Sequence, residues 1–591
     1  MIKLLTETLN ALRRHYLTRL ILLSVLVGVV VGLGSVGFNY VINAATDLFL
    51  GKIVGYEMPT PSGEATAVIP AEAAHRWLLF VVPALGGLLA GLTVYLLAPD
   101  AAGHGTDSVI DAFHNKSGEV RKRIPFVKTL ATAFTLGTGG SAGREGPITQ
   151  VGAGFGSAVA GFFNSSARER RMLLVAGAGA GLGAIFRAPL GGALFAVEML
   201  YRDIDFESPA LVPSFVASIV SYSVYCGLRG FWGAVFVVPR LKFNHVAELP
   251  VYLALGVACA LVGILYVKSL YGIEEKVFHK LRVPTYVKPA IGGLAVGTIG
   301  YFLPQVLGQG YGWVQLAMDG GLALWLIVVV AFVKILATSL TVGSGGSGGT
   351  FAPAVVVGGL LGSALGIVLQ RLMPGISPNL QAFALVGMAG FLAGVAKTPL
   401  AALIMVSEMT TGYGLLVPLM LATAIAYVLS PRRISMYASQ VNARVDSPAH
   451  EGEFVNAALE RIAVNQAMPP STKPVMFHRD TPLRDILQEL ASTKQQVFPV
   501  LDDDEKLCGV IDFHDVRIFF TVHEVPAVIA QDLLAPTYDV VSPEEDLASA
   551  LRKFRTTRLE ELPVVEKKGS RSVVGVLSRR NVIATYHDRL V

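Results

Sequence analysis

The sequence predicts an α-helical polytopic membrane domain of tilted and broken helices in two repeats, followed by an α/β cytoplasmic tail. Three observations carry that prediction. Hydrophobic residues make up 53% of the 591 positions and charged residues 15%, against roughly 25% charged in a soluble globular chain. The charge is also unevenly placed: residues 446–591 hold 40 of the 91 Asp, Glu, Lys and Arg residues, and residues 1–445 hold only 51. Finally, the apolar part contains an internal duplication. Collagen-like, disordered and disulfide-stapled architectures are excluded, because the 62 Gly are aperiodic, apolar content is high and only three Cys are present (Cys226, Cys259, Cys508).

The net charge of +5 conceals a split between a tail of net −6 and a membrane part of net +11. A basic excess around apolar segments orients a membrane protein and is no nucleic-acid footprint. Arg13, Arg14 and Arg19 precede the first long apolar run, Leu20 to Phe38. This predicts a cytoplasmic N-terminus and a retained span. With the charged tail also in the cytoplasm, the number of crossings is even. Compact loops and a short N-terminus point to a prokaryotic inner membrane.

Further apolar stretches recur at about Trp77–Leu97, Phe126–Phe163, Arg171–Leu200, Leu211–Val238, Val251–Leu270, Pro289–Leu307, Leu322–Val342, Ala352–Leu372, Ala382–Met409 and Leu415–Leu429. Several exceed one span of about 20 residues yet fall short of two, and Gly and Pro interrupt them. Broken backbone at membrane depth is tolerated only where it is buried in protein or lines a wet cavity. The breaks therefore predict a solute path.

The duplication is read by offset. Ala98-Pro99 with Gly103-His104-Gly105 matches Leu303-Pro304 with Gly308-Gln309-Gly310, and Gly139-Gly140-Ser141 with Gly143, Gly152 and Gly156-Ser157 matches Gly345-Gly346-Ser347 with Gly349, Gly358 and Gly362-Ser363. Pro189-Leu190 and Glu198-Met199 match Pro399-Leu400 and Glu408-Met409. Offsets stay within 205 to 210. The repeats run over about 17–240 and 245–440, in a membrane domain of 1–445. Paired broken segments place a substrate site at the repeat interface; the residues alone do not say whether the repeats are inverted.

Gly343-Ser344-Gly345-Gly346-Ser347-Gly348 has the spacing of a dinucleotide fingerprint, but a preceding strand and a following acidic residue are missing. Close packing through small residues explains part of the glycine content. It does not explain why each Gly run ends in a helix start with Pro147 or Pro353 in the first turn. A bared helix N-terminus offers free N–H groups and a positive dipole end, which suits an anion. Within the first run, Glu145 is either a dipole partner or a carboxylate that competes with a permeant anion for the same N–H groups, and so a gate.

These segments resemble the signature elements of the CLC chloride channel and transporter family: Gly143-Arg144-Glu145-Gly146-Pro147, Gly349-Thr350-Phe351-Ala352-Pro353, Ala188-Pro189-Leu190 to Glu198, and Tyr437. The resemblance spans residues 20–440. It implies a homodimer in the lipid bilayer, with an anion pathway in each subunit built from inverted repeats of about eighteen tilted helices. It implies chloride or a similar small anion as transported ligand, no required cofactor and no enzymatic activity. It places the gating glutamate at Glu145. Anion contacts fall at His104, Gly105, Arg144, Glu145, Gly146, Thr350, Phe351 and the Tyr437 hydroxyl.

Two departures matter. The family's Gly-Ser-Gly-Ile-Pro motif reads Gly103-His104-Gly105-Thr106-Asp107 here, so His104 stands where a serine hydroxyl contacts the anion. A neutral imidazole N–H could replace that hydroxyl, and a protonated ring would bind more tightly; the competing reading is that His104 caps a helix or turns away from the pore. Met199 occupies the position of the inner proton-relay glutamate of family antiporters, and methionine carries no proton. Glu198 is expected to be a structural carboxylate near its helix end, as Glu408 is in the other repeat. The expectation is channel-like chloride transport gated by Glu145, with a proton-coupled antiporter as the alternative.

The tail holds a second duplication. Val497-Phe498-Pro499-Val500, Gly509-Val510-Ile511-Asp512 and Asp515 parallel Glu561-Leu562-Pro563-Val564, Gly575-Val576-Leu577-Ser578 and Asn581. The pattern resembles a tandem pair of cystathionine-β-synthase-type (CBS) domains at about 464–524 and 528–589. Such pairs bind ATP or another adenine nucleotide in many cases, which makes Asp512, Asp515, Ser578 and Asn581 the candidate nucleotide contacts; a ligand-free dimerising scaffold is the competing reading. A membrane enzyme lacks its motifs here, and no metal site is expected. A CBS-regulated magnesium channel would call for carboxylate-rich pore segments.

Overall fold

The computed structural model describes residues 16–64, 73–230, 232–239, 241–243, 246–372, 379–410, 412–450, 459–468, 473–517, 519, 527–557, 559–567 and 569–590. The chain divides into two compact units, Met1–Ala449 and His450–Val591.

Among the described residues the first unit contains sixteen α-helices, against the eighteen or so implied by resemblance. Eight belong to each repeat. The first set is α1 (Tyr16–Thr46), α2 (Leu78–Leu97), α3 (Thr106–Asn115), α4 (Ile124–Gly137), α5 (Glu145–Phe162), α6 (Ala167–Phe186), α7 (Pro189–Glu198) and α8 (Ser208–Arg229). The second is α9 (Leu249–Ile273), α10 (Lys288–Phe302), α11 (Tyr311–Met318), α12 (Leu324–Gly343), α13 (Phe351–Leu372), α14 (Leu380–Ala396), α15 (Pro399–Met409) and α16 (Leu416–Leu429). Among the described residues six segments are long and apolar enough to cross a membrane, while α4, α7, α14, α15 and the segment Tyr413–Leu429 that holds α16 are apolar but shorter. The over-long stretches of the sequence thus resolve into helix pairs broken at fixed points: α4–α5, α6–α7 and α14–α15.

The breaks have local causes. Helix α4 ends at Gly137 and α12 at Gly343; Gly139 and Gly345 then take φ of 99° and 93°, a region that excludes most side chains. Helices α6 and α14 instead stop at Arg187 and Lys397, non-glycine residues with φ of 54° and 62°. The prolines two positions later disfavour helix at Ala188 and Thr398 and start α7 and α15. Each strained cation is held by its own head group: Arg187 Nη1 donates to Gly63 O and Gly233 O, both at 2.9 Å, and Lys397 Nζ to Ser430 O at 2.7 Å.

A pseudo-twofold relation runs through the packing. Gly143 and Gly349 form an antiparallel bridge with reciprocal N–H···O bonds of 2.7 Å, so equivalent segments run in opposite directions there, as inverted repeats require. Ser141 N donates to Thr341 Oγ1 (3.0 Å) and Ser347 N to Thr135 Oγ1 (3.2 Å). The carboxylate of Glu198, at the end of α7, accepts from Leu400 N and Ala401 N at 3.1 and 2.7 Å. Glu408, near the end of α15, accepts from Leu190 N and Gly191 N at 3.3 and 2.7 Å. Each glutamate therefore caps the other repeat's helix, satisfying N–H groups that would otherwise lie bare.

The second unit has two similar halves. Strands β1 (Phe477–His478), β2 (Val497–Leu501) and β3 (Leu507–Asp512) form a sheet with β1 parallel and β3 antiparallel to β2; β4 (Glu561–Val565) pairs antiparallel with β5 (Val573–Ser578). Register and bulge repeat: Val497 faces Asp512 as Glu561 faces Ser578, with irregularities at Val500/Leu501 and Val564/Val565. The amphipathic segments expected from the sequence are α17 (Leu483–Leu490) and α19 (Leu547–Thr557), whose buried Ile486 and Phe554 cover one half each. Short helices α18 (Phe513–Val516) and α20 (Arg579–Leu590) follow β3 and β5.

Candidate functional site

Glu145 opens α5 and is buried, with 1% exposure. The N-cap residue Arg144 makes no side-chain cap and Pro147 has no N–H; the Glu145 N–H meets its own carboxylate, and that of Gly146 lies in the same first turn. The Gly143–Gly349 bridge sets the starts of α5 and α13 against each other. Between them lies the Glu145 carboxylate. Its Oε1 accepts from the Tyr311 hydroxyl at 2.8 Å, and the carboxylate also meets the backbone N–H groups of Glu145 and Ala352. A Cβ on Gly143 would come within 2.0 Å of Oε2 and 2.7 Å of Ala352 Cβ, so the carboxylate occupies space that only a glycine leaves open.

Two cavities flank this point. One, of about 470 Å³, is lined by Arg144, Tyr311, Asn39 and Glu64; the other, of about 570 Å³, by His104, Gly105, Asp107 and Tyr271. Between them runs a series of tilted and edge-on rings. His104 to Tyr437 is 5.7 Å between centroids, Tyr437 to Phe195 6.4 Å, Phe195 to Phe351 5.4 Å, Phe351 to Phe186 5.1 Å and Phe186 to Tyr311 6.3 Å. Such rings offer a dry wall with positive edges. Gly146 packs on the His104 carbonyl, which a Cβ at Gly146 would approach to 2.1 Å, so Gly105 and Gly146 let the two motifs touch. Thr350 lies at the start of α13 with its carbonyl accepting from Tyr266 Oη at 2.7 Å, and the Tyr437 hydroxyl lies against Thr106. The structure thus gathers His104, Gly105, Arg144, Glu145, Gly146, Thr350, Phe351 and Tyr437 in one region.

His104 differs from expectation in one respect. Its Nε2 lies 3.1 Å from Asp107 Oδ2, and Asp107 also accepts from Ala438 N and Ser439 N at 3.1 and 3.0 Å. An ionised carboxylate only accepts, so the neutral ring donates from Nε2 and presents a lone pair at Nδ1. That Nδ1 is buried and unpartnered. The neutral imidazole N–H is therefore engaged with Asp107, and only the imidazolium has a further N–H for an anion.

Met199 is fully buried and directly follows α7; its carbonyl accepts from Gln440 Nε2 at 2.9 Å. Buried Lys128 and Lys334, 206 positions apart, hold the corresponding loops of the two repeats. Lys128 Nζ donates to Ala101 O (3.0 Å) and Gly103 O (2.6 Å); Lys334 Nζ donates to Val306 O (2.9 Å) and Gly308 O (2.6 Å). Sequence reasoning missed Tyr311, Glu64, Phe195 and this lysine pair. The lysines had a signal, since they match at the repeat offset; Tyr311, whose counterpart there is Thr106, and Glu64 had none.

In the second unit, Asp512 caps α18 by accepting from His514 N at 3.0 Å, and Ser578 Oγ accepts from Asn581 N at 3.2 Å. Asp515 is exposed and Asn581 half-buried, each just after the last strand of its half. One exposed group with metal-ligand proximity, His478, Asp480 and Asp503, is present among the described residues, and Asp503 already pairs with Arg479.

The comparisons with known proteins agree with this architecture. Residues 464–521 and 530–588 each match the CBS domain. A ClcB-like chloride channel protein of Ralstonia nicotianae is 34% identical over 373 residues, 61% of this chain and 84% of that protein. The H(+)/Cl(-) exchange transporter ClcA of Salmonella paratyphi A is 29% identical over 420 residues, 70% of this chain and 85% of that protein. The fold resembles that of a slow cyanobacterial Cl-/H+ antiporter with a TM-score of 0.62 and 23% identity, covering 70% of this chain and 94% of the other. Residues 86–431, more than half of the chain, match the family model for voltage gated chloride channels, and together with the crossed glutamate caps and the paired broken helices this makes the chain a member of that family with two CBS domains in its tail.

Proposed function

We propose that each subunit conducts chloride or a similar small anion through the membrane unit, with Glu145 as the gate and without obligatory proton exchange. The observation that carries this reading is the position of the Glu145 carboxylate: a negative group at two opposed helix starts, between two cavities. In that position the carboxylate takes the place an anion would take, and it must leave for an anion to pass. Gly146, Thr350, Phe351, Gly105 and the Tyr437 hydroxyl are the proposed contacts of the anion, with Arg144 attracting it at one mouth. His104 joins them when protonated. Met199 interrupts proton transfer toward the other cavity, because a thioether neither takes nor gives a proton. The chain acts as a homodimer with its N-terminus and tail in the cytoplasm, and the tail regulates it, with an adenine nucleotide held near Asp512, Asp515, Ser578 and Asn581. Nothing in this reading calls for an enzymatic step.

Proton-coupled exchange is the second reading, favoured by the exchange transporter among the relatives. Purified protein in liposomes separates the two. An imposed chloride gradient is expected to produce chloride flux and no uphill proton movement; stoichiometric proton pumping overturns the channel reading.

A further inference from the structure

The segment joining α1 to α2 brings a second carboxylate to the Arg144 mouth. After the π-helical turn Asp47–Val54, the chain crosses the cavity wall from Gly55 to Glu64 as a strap without regular structure up to the turn at its end. The strap is tied along its length. The Tyr56 hydroxyl donates to Pro304 O at 3.3 Å. Pro59 packs so closely on α11 that a Cβ on Gly312, next to Tyr311, would meet its carbonyl oxygen at 2.0 Å. The Gly63 peptide is held from both sides: its N–H donates to Val235 O at 3.1 Å and its carbonyl accepts from Arg187 Nη1 at 2.9 Å. The residue this anchoring delivers is Glu64, whose carboxylate pairs with Arg144 Nη2.

Arg144 directly precedes the gating position and is otherwise held by Asn39 Oδ1 at 3.3 Å from Nη1, with its Nε buried and unpartnered. Its side chain is 4% exposed and that of Glu64 21%, so Glu64 is the member of the pair that faces the cavity. Other cationic groups on this cavity are Arg187 and Arg229; the remaining carboxylates are Asp47 and Glu57, and the phenols are Tyr56, Tyr225 and Tyr311. An anion entering here meets Arg144 with its positive charge already engaged by a tethered carboxylate.

We propose that Glu64 sets the affinity of this mouth for the permeant anion, by competing with it for the Arg144 guanidinium. The proposal rests on the reading of Arg144 and Glu145 as one end of the anion pathway. Tethering is what makes the competitor effective: a carboxylate fixed beside its partner is present at high local concentration without being consumed. Displacing it exposes a buried guanidinium to the arriving anion, and when the anion moves on, Glu64 returns.

The test is chloride uptake by the full-length protein in liposomes as a function of chloride concentration. Glu64→Gln keeps the shape and removes the charge, so half-saturation is expected to fall about fivefold, the effect of one partly exposed ion pair, with the rate at saturating chloride unchanged. Glu64→Cys provides the same readout in an already folded protein. An anionic methanethiosulfonate is expected to return half-saturation toward the wild-type value, while a cationic one leaves it low; wild-type protein treated in the same way controls for Cys508. An unchanged or raised half-saturation in Glu64→Gln, or identical effects of the two reagents, overturns the proposal. Glu145→Gln run in parallel keeps the two readings apart: a failed gate shows as unaltered pH dependence in that variant, while the role of Glu64 is read from half-saturation alone.

Discussion

Replacing Tyr311 by phenylalanine removes a single oxygen from the boundary between the Arg144 cavity and the ring series, and it tests the gate directly. The Tyr311 hydroxyl donates to Glu145 Oε1 at 2.8 Å, and the donor ring is 3% exposed, so water does not readily replace it. The ring itself packs edge-on against Phe186 and Phe236 at 6.3 and 5.7 Å, contacts that phenylalanine keeps. A hydrogen bond to a charged acceptor contributes about 1.5–3 kcal/mol. Loss of this donor leaves the carboxylate held only by the backbone N–H groups of Glu145 and Ala352 and by the charge of Arg144, so the closed position is weakened and not abolished. If the closed state is the one in which the carboxylate sits between the helix starts, Tyr311→Phe shifts the closed–open equilibrium toward open by that amount, about 10- to 150-fold. The assay is the open fraction from single-channel recording in planar bilayers, or the initial chloride efflux from liposomes where the wild type is mostly closed. An open fraction that stays within a factor of two, in a protein with unchanged thermal stability, would refute the idea that this hydroxyl holds the gate shut.

Three further outcomes follow from particular contacts. Glu198→Ala strips the cap from α15 and leaves the N–H groups of Leu400 and Ala401 without acceptors, at about 1–3 kcal/mol for the buried Ala401 donor; the apparent melting temperature in detergent is expected to fall by several degrees with proton movement unchanged, and a stable variant with altered proton movement would make Glu198 a relay. In the tail, burial lifts the Glu561 carboxyl above the ordinary carboxylate range, against the opposing bonds from Gln496 and Val497 N–H. A raised pKa in the folded state means its stability contribution is full below the unfolded value and is lost as pH rises through the folded one. The tail transition in calorimetry of the full-length protein is therefore expected to weaken as pH rises through that window, and Glu561→Gln to flatten the dependence; an unchanged slope removes Glu561 as its source. ATP or another adenine nucleotide is expected to raise the melting temperature of that transition, and the double change Asp515→Ala with Asn581→Ala to cancel the shift; no shift with any nucleotide leaves a dimerising scaffold.

Much of the pathway was legible in the linear order of residues because its parts repeat. Gly143 and Gly349, or Glu198 and Glu408, each fall at a nearly constant offset, and a duplication announces itself without coordinates. Glu145 stood out because a lone carboxylate in a Gly-rich break is costly at membrane depth, and Met199 because of what it replaces. His104 was found but read incompletely: that its N–H is engaged by Asp107 is a three-residue contact, yet Asp107 is held in turn by the amides of Ala438 and Ser439, more than 330 positions away. Glu64 carries no local signal at all, being one acidic residue in a loop.

The sequence by itself determined the division into an apolar unit and a charged tail, the two levels of duplication, the helix starts at Pro147 and Pro353 and the candidate gating carboxylate, Glu145. These are properties of composition, of spacing within a few residues or of comparison at one offset, and each has a physical meaning before folding. The tertiary structure alone decided which glutamate caps which helix, that Tyr311 reaches Glu145 across 166 positions, and that Glu64 reaches Arg144 across 80. Such pairs are selected by the packing of whole helices and the satisfaction of buried polar groups, energies that come into being only when distant segments meet.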